Sequence, residues 1–295
     1  MFKKILLILL LFLVASSLVY FYEFRDKTFV QEKILVSNND IVKPLTVVLS
    51  PHFDDGVLSL GGLMAKRENE LLVVTFFTQR PTKIVHTKWD RISGFSDSDE
   101  AIFSRTKENE NSLMPFNTII KNYNYPDFQY RKENQDKEIQ NEIAKDIKSI
   151  IETYKNREIF IYGPGTFGKK IMHPDHKIVH DALMDFFRTN KNPDLHFFVY
   201  EDFPYIRQFV SSNLGNFNDF LNKQENIIFK EESIELNKFE LDEKISSIYK
   251  YKSQIISFLF FGDDLGIIAD KFFRSRCKNT YPNFYACEVI HSFSN

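Results

Sequence analysis

Glycine and proline are scarce in this chain, with ten of each among 295 residues. This scarcity excludes a fibrous or low-complexity protein. Cysteine is scarcer still: Cys277 and Cys287 lie ten positions apart and form neither a CxxC pair nor a zinc-finger spacing. A disulfide bond in an oxidising compartment and two unpaired structural thiols both fit this pair.

A cluster of positive charge is also lacking. The 38 Lys and Arg residues are scattered along the chain and balance 40 Asp and Glu residues, for a net charge of −2. We therefore expect no nucleic-acid partner. The chain is long enough to bury a large core, and it contains no internal repeat, so a single domain after the N-terminal segment is the simplest organisation.

One long apolar run is present, from Ile5 to Tyr22. Its length just suffices to span a bilayer, and the two lysines before it favour a cytoplasmic N-terminus. A cleaved signal peptide is the alternative, but the run continues beyond its small residues at 15–17, which favours an uncleaved anchor. We predict a signal anchor or signal peptide at 1–22, a linker at 23–43 and a domain at 44–295. The domain would then be extracytoplasmic, either anchored to the membrane or secreted.

Apolar strands alternate with amphipathic helices in the rest of the chain. The pattern predicts strands at 45–49, 71–77, 118–123, 158–162, 195–200 and 283–290, and helices after the first strand and at 105–114, 134–154, 176–187, 238–260 and 262–273. This alternation predicts parallel strand pairing. We expect an α/β fold, a Rossmann-like, doubly wound, mainly parallel sheet with helices on both faces, preceded by one N-terminal transmembrane helix.

Polar side chains cluster where the first strand ends. The strand is followed by Ser50-Pro51-His52-Phe53-Asp54-Asp55-Gly56. In open α/β sheets, ligands bind at the carboxyl ends of the strands. His52 and Asp55 stand three apart, so one turn brings both to the same side, and their nitrogen and oxygen donors suit a divalent transition metal. Taken alone, the same residues would also fit a capped helix start.

A second cluster follows the strand at 158–162. It contains His173, Pro174, Asp175 and His176, and a helix begins near His176. His180 lies four residues further on, where we expect a packed or solvated helix histidine. The strand at 195–200 ends in Glu201 and Asp202, which could line the site, although we expect them to be solvated in the loop. The presence of both histidine clusters favours a functional site over isolated capping residues.

The PHFDD segment at 51–55, the glycine pair Gly61-Gly62 and the HPDH segment at 173–176 together resemble the PIG-L/LmbE-like family of zinc-dependent N-acetyl-sugar deacetylases. Further motifs in the same order support the resemblance, namely Arg105 with Glu108, YPDFQYR, GPG and YEDFPY. It covers roughly residues 44–205. Many members have PHPDDE, whereas this chain has Phe53 and Gly56 in place of Pro and Glu, a departure that bears on the substrate more than on the chemistry.

The resemblance implies a role for each residue of the two clusters. His52, Asp55 and His176 would bind Zn²⁺, with Fe²⁺ as the alternative, and would leave positions open for water and substrate. Zinc lowers the pKa of bound water to about 7. Asp54 would act as the general base and then the acid. His173 would stabilise the oxyanion, with Asp175 setting its tautomer or charge. The chain has no GxSxG motif, which agrees with direct attack by water.

Substrate contacts are predicted around the two clusters. Arg105, Asp127 and Arg131 are candidates for hydrogen bonds to hydroxyl groups, and Tyr130 is a candidate for stacking on a sugar ring. Arg105 and Glu108 also fit a simple i, i+3 helix pair, and Asp127 also fits plain turn chemistry.

We therefore expect an enzyme that removes acetyl from an N-acetylated sugar of the N-acetylglucosamine type, in a glycan or glycolipid. Two other functions remain open. One is hydrolysis of a different amide on the same scaffold, and the other is glycan binding by a non-catalytic envelope protein.

Overall fold

A computed structural model describes residues 42–167, 173–212, 215–277 and 284–294. The predicted anchor or signal peptide at 1–22 and all but the last two residues of the predicted linker at 23–43 lie outside this part and stay predictions. Among the described helices, none is long and apolar enough to cross a membrane. Residues Lys43–Asn295 form one compact unit.

The described residues build a seven-stranded mixed sheet with the order β3-β2-β1-β4-β5-β7-β6. The first five strands in this order are parallel, and β7 pairs antiparallel with both β5 and β6. The strands are β1 (Leu45–Ser50), β2 (Glu70–Thr75), β3 (Ile119–Asn122), β4 (Ile159–Pro164), β5 (Leu195–Tyr200), β6 (Phe229–Leu236) and β7 (Ala286–Phe293). All six residues of β1 are buried, because a central parallel strand is covered on both faces.

Helices cover the sheet in two packed groups. The described α-helices are α1 (Asp55–Lys66), α2 (Lys88–Ile92), α3 (Ser98–Leu113), α4 (Asp136–Thr153), α5 (Pro174–Thr189), α6 (Ile206–Ser211), α7 (Phe217–Glu225), α8 (Lys238–Ile248), α9 (Lys252–Phe260) and α10 (Leu265–Arg276). Helix α1 packs on α8, whereas α4 packs on α5. Right-handed crossovers place the α1 group and the α4–α5 group on opposite faces. The predicted α/β fold with a mainly parallel sheet is confirmed.

The chain reverses its direction across the sheet between β1 and β4. From β1 it winds outward through β2 to β3, and from β4 it winds the other way to β5. The loops after β1 and β4 therefore diverge and leave a crevice at their carboxyl ends, which is where ligands bind in such sheets. These are the loops that carry the two histidine clusters.

Several element bounds differ from the prediction. The helix predicted at 238–260 is two helices, α8 and α9, because Tyr251 leaves the helical conformation and buries its ring, with its hydroxyl donating to the Phe53 carbonyl. Strand β6 was not predicted, since FKEESIEL is charged, and an edge strand that pairs only with β7 can keep those charges in water. The last strand lies three residues later than predicted.

Helix α1 is interrupted at Leu60, whose φ of −124° and ψ of 19° are not helical. A buried ion pair replaces the missing hydrogen bonds. Glu288 accepts from the backbone N–H groups of Gly62 (2.7 Å) and Leu63 (2.8 Å). Lys244 donates to the Ser59 carbonyl (3.0 Å) and to Glu288 (2.6 Å). The pair thus satisfies groups on both sides of the break, where an unpaired buried polar group would be costly.

The glycine pair of α1 is required by this packing. A Cβ at Gly62 would lie 2.3 Å from Leu236 Cδ1 and 2.8 Å from Glu288 Oε1. A Cβ at Gly61 would lie 2.9 Å from Lys244 Cγ. Near the other end of the chain, Cys277 and Cys287 form a disulfide bond that joins the end of α10 to β7, which decides between the two states that the sequence left open.

Candidate active site

The loop between β1 and α1 is held by its own side chains. Ser50 donates its hydroxyl to the His52 carbonyl and accepts from the Gly56 N–H at 2.9 Å. The carboxylate of Asp55 accepts from the His52 N–H at 2.7 Å. These contacts place the side chains of His52 and Asp55 on the same side of the loop, as the three-residue spacing predicted.

Three donor atoms from the two clusters form a nearly equilateral triangle. His52 Nδ1, Asp55 Oδ2 and His176 Nε2 are 3.2 Å from one another. Metal–nitrogen bonds of about 2.0–2.1 Å in tetrahedral geometry separate neighbouring ligands by about 3.3 Å. The triangle therefore fits a tetrahedral divalent cation with one position left for a further ligand, and two imidazoles with one carboxylate are a donor set that zinc accepts.

A carboxylate supports each of the two imidazoles from behind. His176 Nδ1 lies 2.5 Å from Asp202 Oδ2, and His52 Nε2 lies 2.9 Å from Asp175 Oδ2. If the far nitrogen of each ring donates to its carboxylate, the nitrogen in the triangle keeps its lone pair, as a metal ligand must. The prediction that Asp202 is solvated is wrong: its side chain is fully buried. Asp202 directly follows β5, at the same edge of the sheet as the two histidine clusters, and this position could have indicated a place in the site.

Asp54 lines the cavity beside this triangle without belonging to it. Burial and the neighbouring charge of Asp55 raise the pKa of Asp54 to about 7. Asp55 behaves in the opposite way. Burial opposes its ionisation, but the charges and hydrogen bonds of His176 and His52 outweigh burial and hold its pKa below the usual range. The two adjacent carboxyl groups therefore differ, one ionised and one able to exchange a proton near neutral pH.

His173 stands at the N-cap of α5 with its ring half-buried against the cavity. Its ring centroid lies 4.9 Å from that of His52. Burial and the charge of His52 lower the pKa of His173 to about 3, so the ring is neutral at neutral pH. His173 Nδ1 accepts from the Asp175 N–H at 3.3 Å, which places the ring proton on Nε2. A neutral donor suited to an oxyanion results.

The carboxylate of Asp175 lies closer to His52 than to His173. Its Oδ2 is 2.9 Å from His52 Nε2 but 3.8 Å from His173 Nδ1. It also accepts from the Phe128 N–H at 2.9 Å and from Arg131. Burial opposes ionisation, but His52 and Arg131 among its partners lower the pKa of Asp175 to about 2. The Asp175 carboxylate therefore lies behind the predicted metal ligand His52, while the Asp175 N–H contacts His173, the ring whose tautomer or charge Asp175 was predicted to set.

The four predicted substrate contacts separate into two pairs. Arg105 and Asp127 line the cavity, and Arg105 is buried with Asp90 at 3.1 Å from its guanidinium. Tyr130 and Arg131 are not among the lining residues. Tyr130 donates its hydroxyl to Asp90 at 2.7 Å, and Arg131 pairs with Asp175 and Asp136. Their role as substrate contacts stays a prediction. In the structure, both side chains contact other residues of the protein.

The cavity above the triangle has a volume of about 830 Å³. Glu108 lies in its wall and accepts from the backbone N–H and the hydroxyl of Ser253 at 2.9 and 2.6 Å, which fixes the start of α9. His180 lies elsewhere: it is buried between the Pro164 carbonyl (2.8 Å) and Glu225 (3.3 Å), in agreement with a packed helix histidine. The site therefore combines a triangle of donor atoms that fits a metal ion, a carboxyl group whose raised pKa suits proton exchange, and a cavity large enough for a ligand.

The fold and the donor set define a class, an α/β protein with a candidate His₂Asp metal site at the switch point of its sheet. Residues 47–187 match the model of the PIG-L family, described as GlcNAc-PI de-N-acetylase. The match spans slightly less than half of the chain and shows that this part is similar to the PIG-L family. This match confirms the predicted resemblance, and the predicted enzyme class, a metal-dependent N-deacetylase, agrees with it.

Solved structures of two glycopeptide deacetylases share the fold. The zinc-inhibited form of teicoplanin deacetylase Orf2 has a TM-score of 0.68 at 20% identity, and the similarity covers 84% of this chain and 97% of that chain. The A40926 pseudoaglycone deacetylase Dbv21 has a TM-score of 0.65 at 20% identity, with 86% and 97% covered. At such identities the likeness shows the fold. None of the curated proteins matches the chain significantly.

Proposed function

We propose that this protein is a metal-dependent hydrolase that removes the N-acetyl group from an N-acetylated sugar of the N-acetylglucosamine type in a glycan or glycolipid. The triangle of His52, Asp55 and His176 donor atoms at 3.2 Å carries the proposal, because it stands in the same cavity as Asp54 and His173. The PIG-L family match supports the choice of an N-acetyl sugar.

His52, Asp55 and His176 would hold the cation, with Zn²⁺ favoured by the two imidazoles and Fe²⁺ as the alternative. Bound there, a divalent cation supplies Lewis acidity towards a carbonyl oxygen and makes water a nucleophile near neutral pH. Asp202 and Asp175 orient the two imidazoles, and such supporting groups affect metal affinity nearly as much as the ligands.

The remaining steps belong to the chain's own groups. Asp54 accepts the proton that the attacking water loses and returns it to the leaving amine nitrogen, as its pKa of about 7 allows. His173 donates its Nε2 proton in a hydrogen bond to the developing oxyanion. Arg105 and Asp127 lie where they can bind sugar hydroxyl groups.

An extracytoplasmic location is part of the proposal, with the domain either anchored through residues 1–22 or secreted. The bonded pair Cys277–Cys287 supports it, since disulfides persist in oxidising compartments.

Release of acetate from N-acetylglucosamine oligosaccharides tests the function. We expect the zinc-loaded wild type to release acetate and Asp54→Asn to lose about 10²–10⁴-fold in rate while keeping its metal. Asp242→Asn, at an exposed carboxylate on α8, is the matched control and should keep full activity. Release of a different acid from a broader set of amides would favour another amide hydrolase. Glycan binding without any hydrolysis by the metal-loaded protein would favour the non-catalytic alternative.

A further inference from the structure

Large apolar side chains are exposed along one helix at the mouth of the cavity. We call this surface the rim patch and define it by Trp89, Ile256, Leu259, Phe260 and Phe261. Phe260 is 66% exposed and Trp89 is 37% exposed. Four of the five residues lie within six positions on α9 and just after it, so they form one concentrated surface. Scattered apolar residues need no explanation, whereas concentrated ones mark a contact surface.

The rim patch is continuous with the site. Trp89 and Phe261 line the cavity, and the Phe260 and Phe261 rings touch at a centroid distance of 5.2 Å. Helix α2, which carries Trp89, is joined to α9 by a hydrogen bond between the Ser93 and Ser257 hydroxyls at 2.8 Å. A molecule that covers the patch therefore lies at the entrance of the cavity.

Hydrogen bonds to the underlying residues fix the start of α9. Glu108 binds its first turn through Ser253, and Tyr251 donates to the Phe53 carbonyl in the metal-binding loop. Because α9 is anchored at its start, its apolar C-terminal half is held in a defined place above the site. The exposed side chains are thus presented by a fixed helix.

The chemistry around the patch fits a lipid surface. Aromatic residues sit at membrane interfaces, and exposed basic residues beside them attract anionic head groups. Lys88, Arg91 and Lys252 are exposed next to the patch in the chain, and the acidic residues Asp263 and Asp264 follow shortly after Phe261. The apolar run Ile5–Tyr22 has the length of a membrane span, and the predicted linker at 23–43 reaches at most about 70 Å when extended. Such a reach permits the cavity to face the same membrane.

We infer that the rim patch docks on the surface of a lipid bilayer, with its apolar side chains among the acyl chains and the cavity mouth at the head groups. On the proposed function, the enzyme would then take its N-acetylated sugar from a lipid-linked substrate at that surface. The inference assigns the docking role to Ile256, Leu259 and Phe260, which do not line the cavity, and to Trp89 and Phe261, which do.

Trp89 is the single tryptophan of the chain, so tryptophan emission, excited selectively over the 13 tyrosines, reports on the rim patch alone. The full-length protein is reconstituted with vesicles of phosphatidylcholine and phosphatidylglycerol whose acyl chains are brominated or unbrominated. We expect bromine to quench Trp89 emission in the wild type, and we expect this loss to disappear in Leu259→Gln/Phe260→Gln. The double variant keeps residues 1–43, so attachment of the chain through that segment is unchanged. Phe239→Gln, at a residue 61% exposed on α8, is the matched control and should behave as the wild type.

Three results would overturn the inference. The first is Trp89 emission of the wild type that bromine does not quench. The second is quenching of equal size in the wild type and the double variant. The third is self-association of the protein through the patch, seen by sedimentation velocity, together with Trp89 emission that is insensitive to bromine. Acetate release from soluble N-acetylglucosamine oligosaccharides should be unchanged in Leu259→Gln/Phe260→Gln. If the wild type releases no acetate, the proposed function fails, but the quenching result still decides the docking.

Discussion

The carboxylate of Asp202 lies 2.5 Å from Nδ1 of His176, and both side chains are fully buried. Asp202 follows the end of β5 and His176 lies in the first turn of α5, so this hydrogen bond joins two separate elements. The contact leaves Nε2 of His176 facing His52 and Asp55. The tautomer of a predicted metal ligand is therefore set by a residue 26 positions away in the chain.

Replacing Asp202 by Asn should weaken metal binding. The amide keeps the volume of the side chain but loses the charge that holds the His176 ring, and loss of such a group typically costs about 10–100-fold in affinity. Competition with a chromophoric zinc chelator measures this change. Glu201→Gln, at the adjacent carboxylate that pairs with Arg276, should leave zinc affinity unaltered. Equal affinities for Asp202→Asn and the wild type would contradict the supporting role.

Substitution by lysine should have different effects at the two buried arginine side chains, Arg105 and Arg131. Arg105 lines the cavity, so Arg105→Lys should raise KM by about 3- to 10-fold through a lost hydrogen bond while zinc affinity stays the same. Arg131 pairs with Asp175, which supports His52, so Arg131→Lys should weaken zinc binding by about tenfold. Steady-state kinetics and zinc competition, performed on both variants, check the two expectations. An increase in KM alone for Arg131→Lys would instead support its predicted contact with substrate.

A methyl group at Gly62 should destabilise the fold. It would overlap Leu236 and the Glu288 carboxylate, and overpacking of this kind costs about 1–3 kcal/mol. Gly61→Ala is the comparison, since its methyl would make one close contact, with Lys244 Cγ at 2.9 Å, against three contacts of 2.3–2.8 Å at Gly62, and should cost less. Urea denaturation of both variants gives the free energies of unfolding. The explanation of the glycine pair would be wrong if Gly62→Ala were as stable as Gly61→Ala.

The buried ion pair predicts a rise in stability with pH. Burial lowers the pKa of Lys244 to about 8, against a usual 10.5, although Glu288 partly offsets this effect. Between these two values the unfolded chain binds more protons than the folded protein, so the free energy of unfolding rises with pH across this window. The contribution is fully present above 10.5 and is lost as the pH falls through 8, with a size on the order of 3 kcal/mol.

Urea denaturation between pH 7 and pH 10 measures this contribution against Lys244→Met/Glu288→Gln, which removes both charges together. The double variant should show a flatter profile over the same window, because its other titrating groups are those of the wild type. Parallel profiles would show that Lys244 does not titrate as the burial implies.

The elements that were predicted well are those with a strong local signal. Strand β1 is a continuous apolar run that ends in polar residues, and the HPDH segment lies at the start of a clearly periodic helix. Strand β6 was missed because FKEESIEL has apolar residues only at Phe229, Ile234 and Leu236 and so shows no period-two alternation. The helix predicted at 238–260 was divided by the burial of Tyr251, whose hydroxyl donates to the Phe53 carbonyl in the loop between β1 and α1.

By itself, the sequence determined the α/β fold, because burial in a parallel sheet imposes a local pattern. Spacing indicated His52 and Asp55 as candidate metal ligands, and the family resemblance added His176; the structure brings their donor atoms together. Only the tertiary structure decided that Asp202 supports His176, that Asp175 supports His52, and that Arg131 lies behind the site. It also decided the pairing of Lys244 with Glu288 across the break in α1. These contacts join residues far apart in the chain, and a contact that depends on how elements pack leaves no local pattern in either segment.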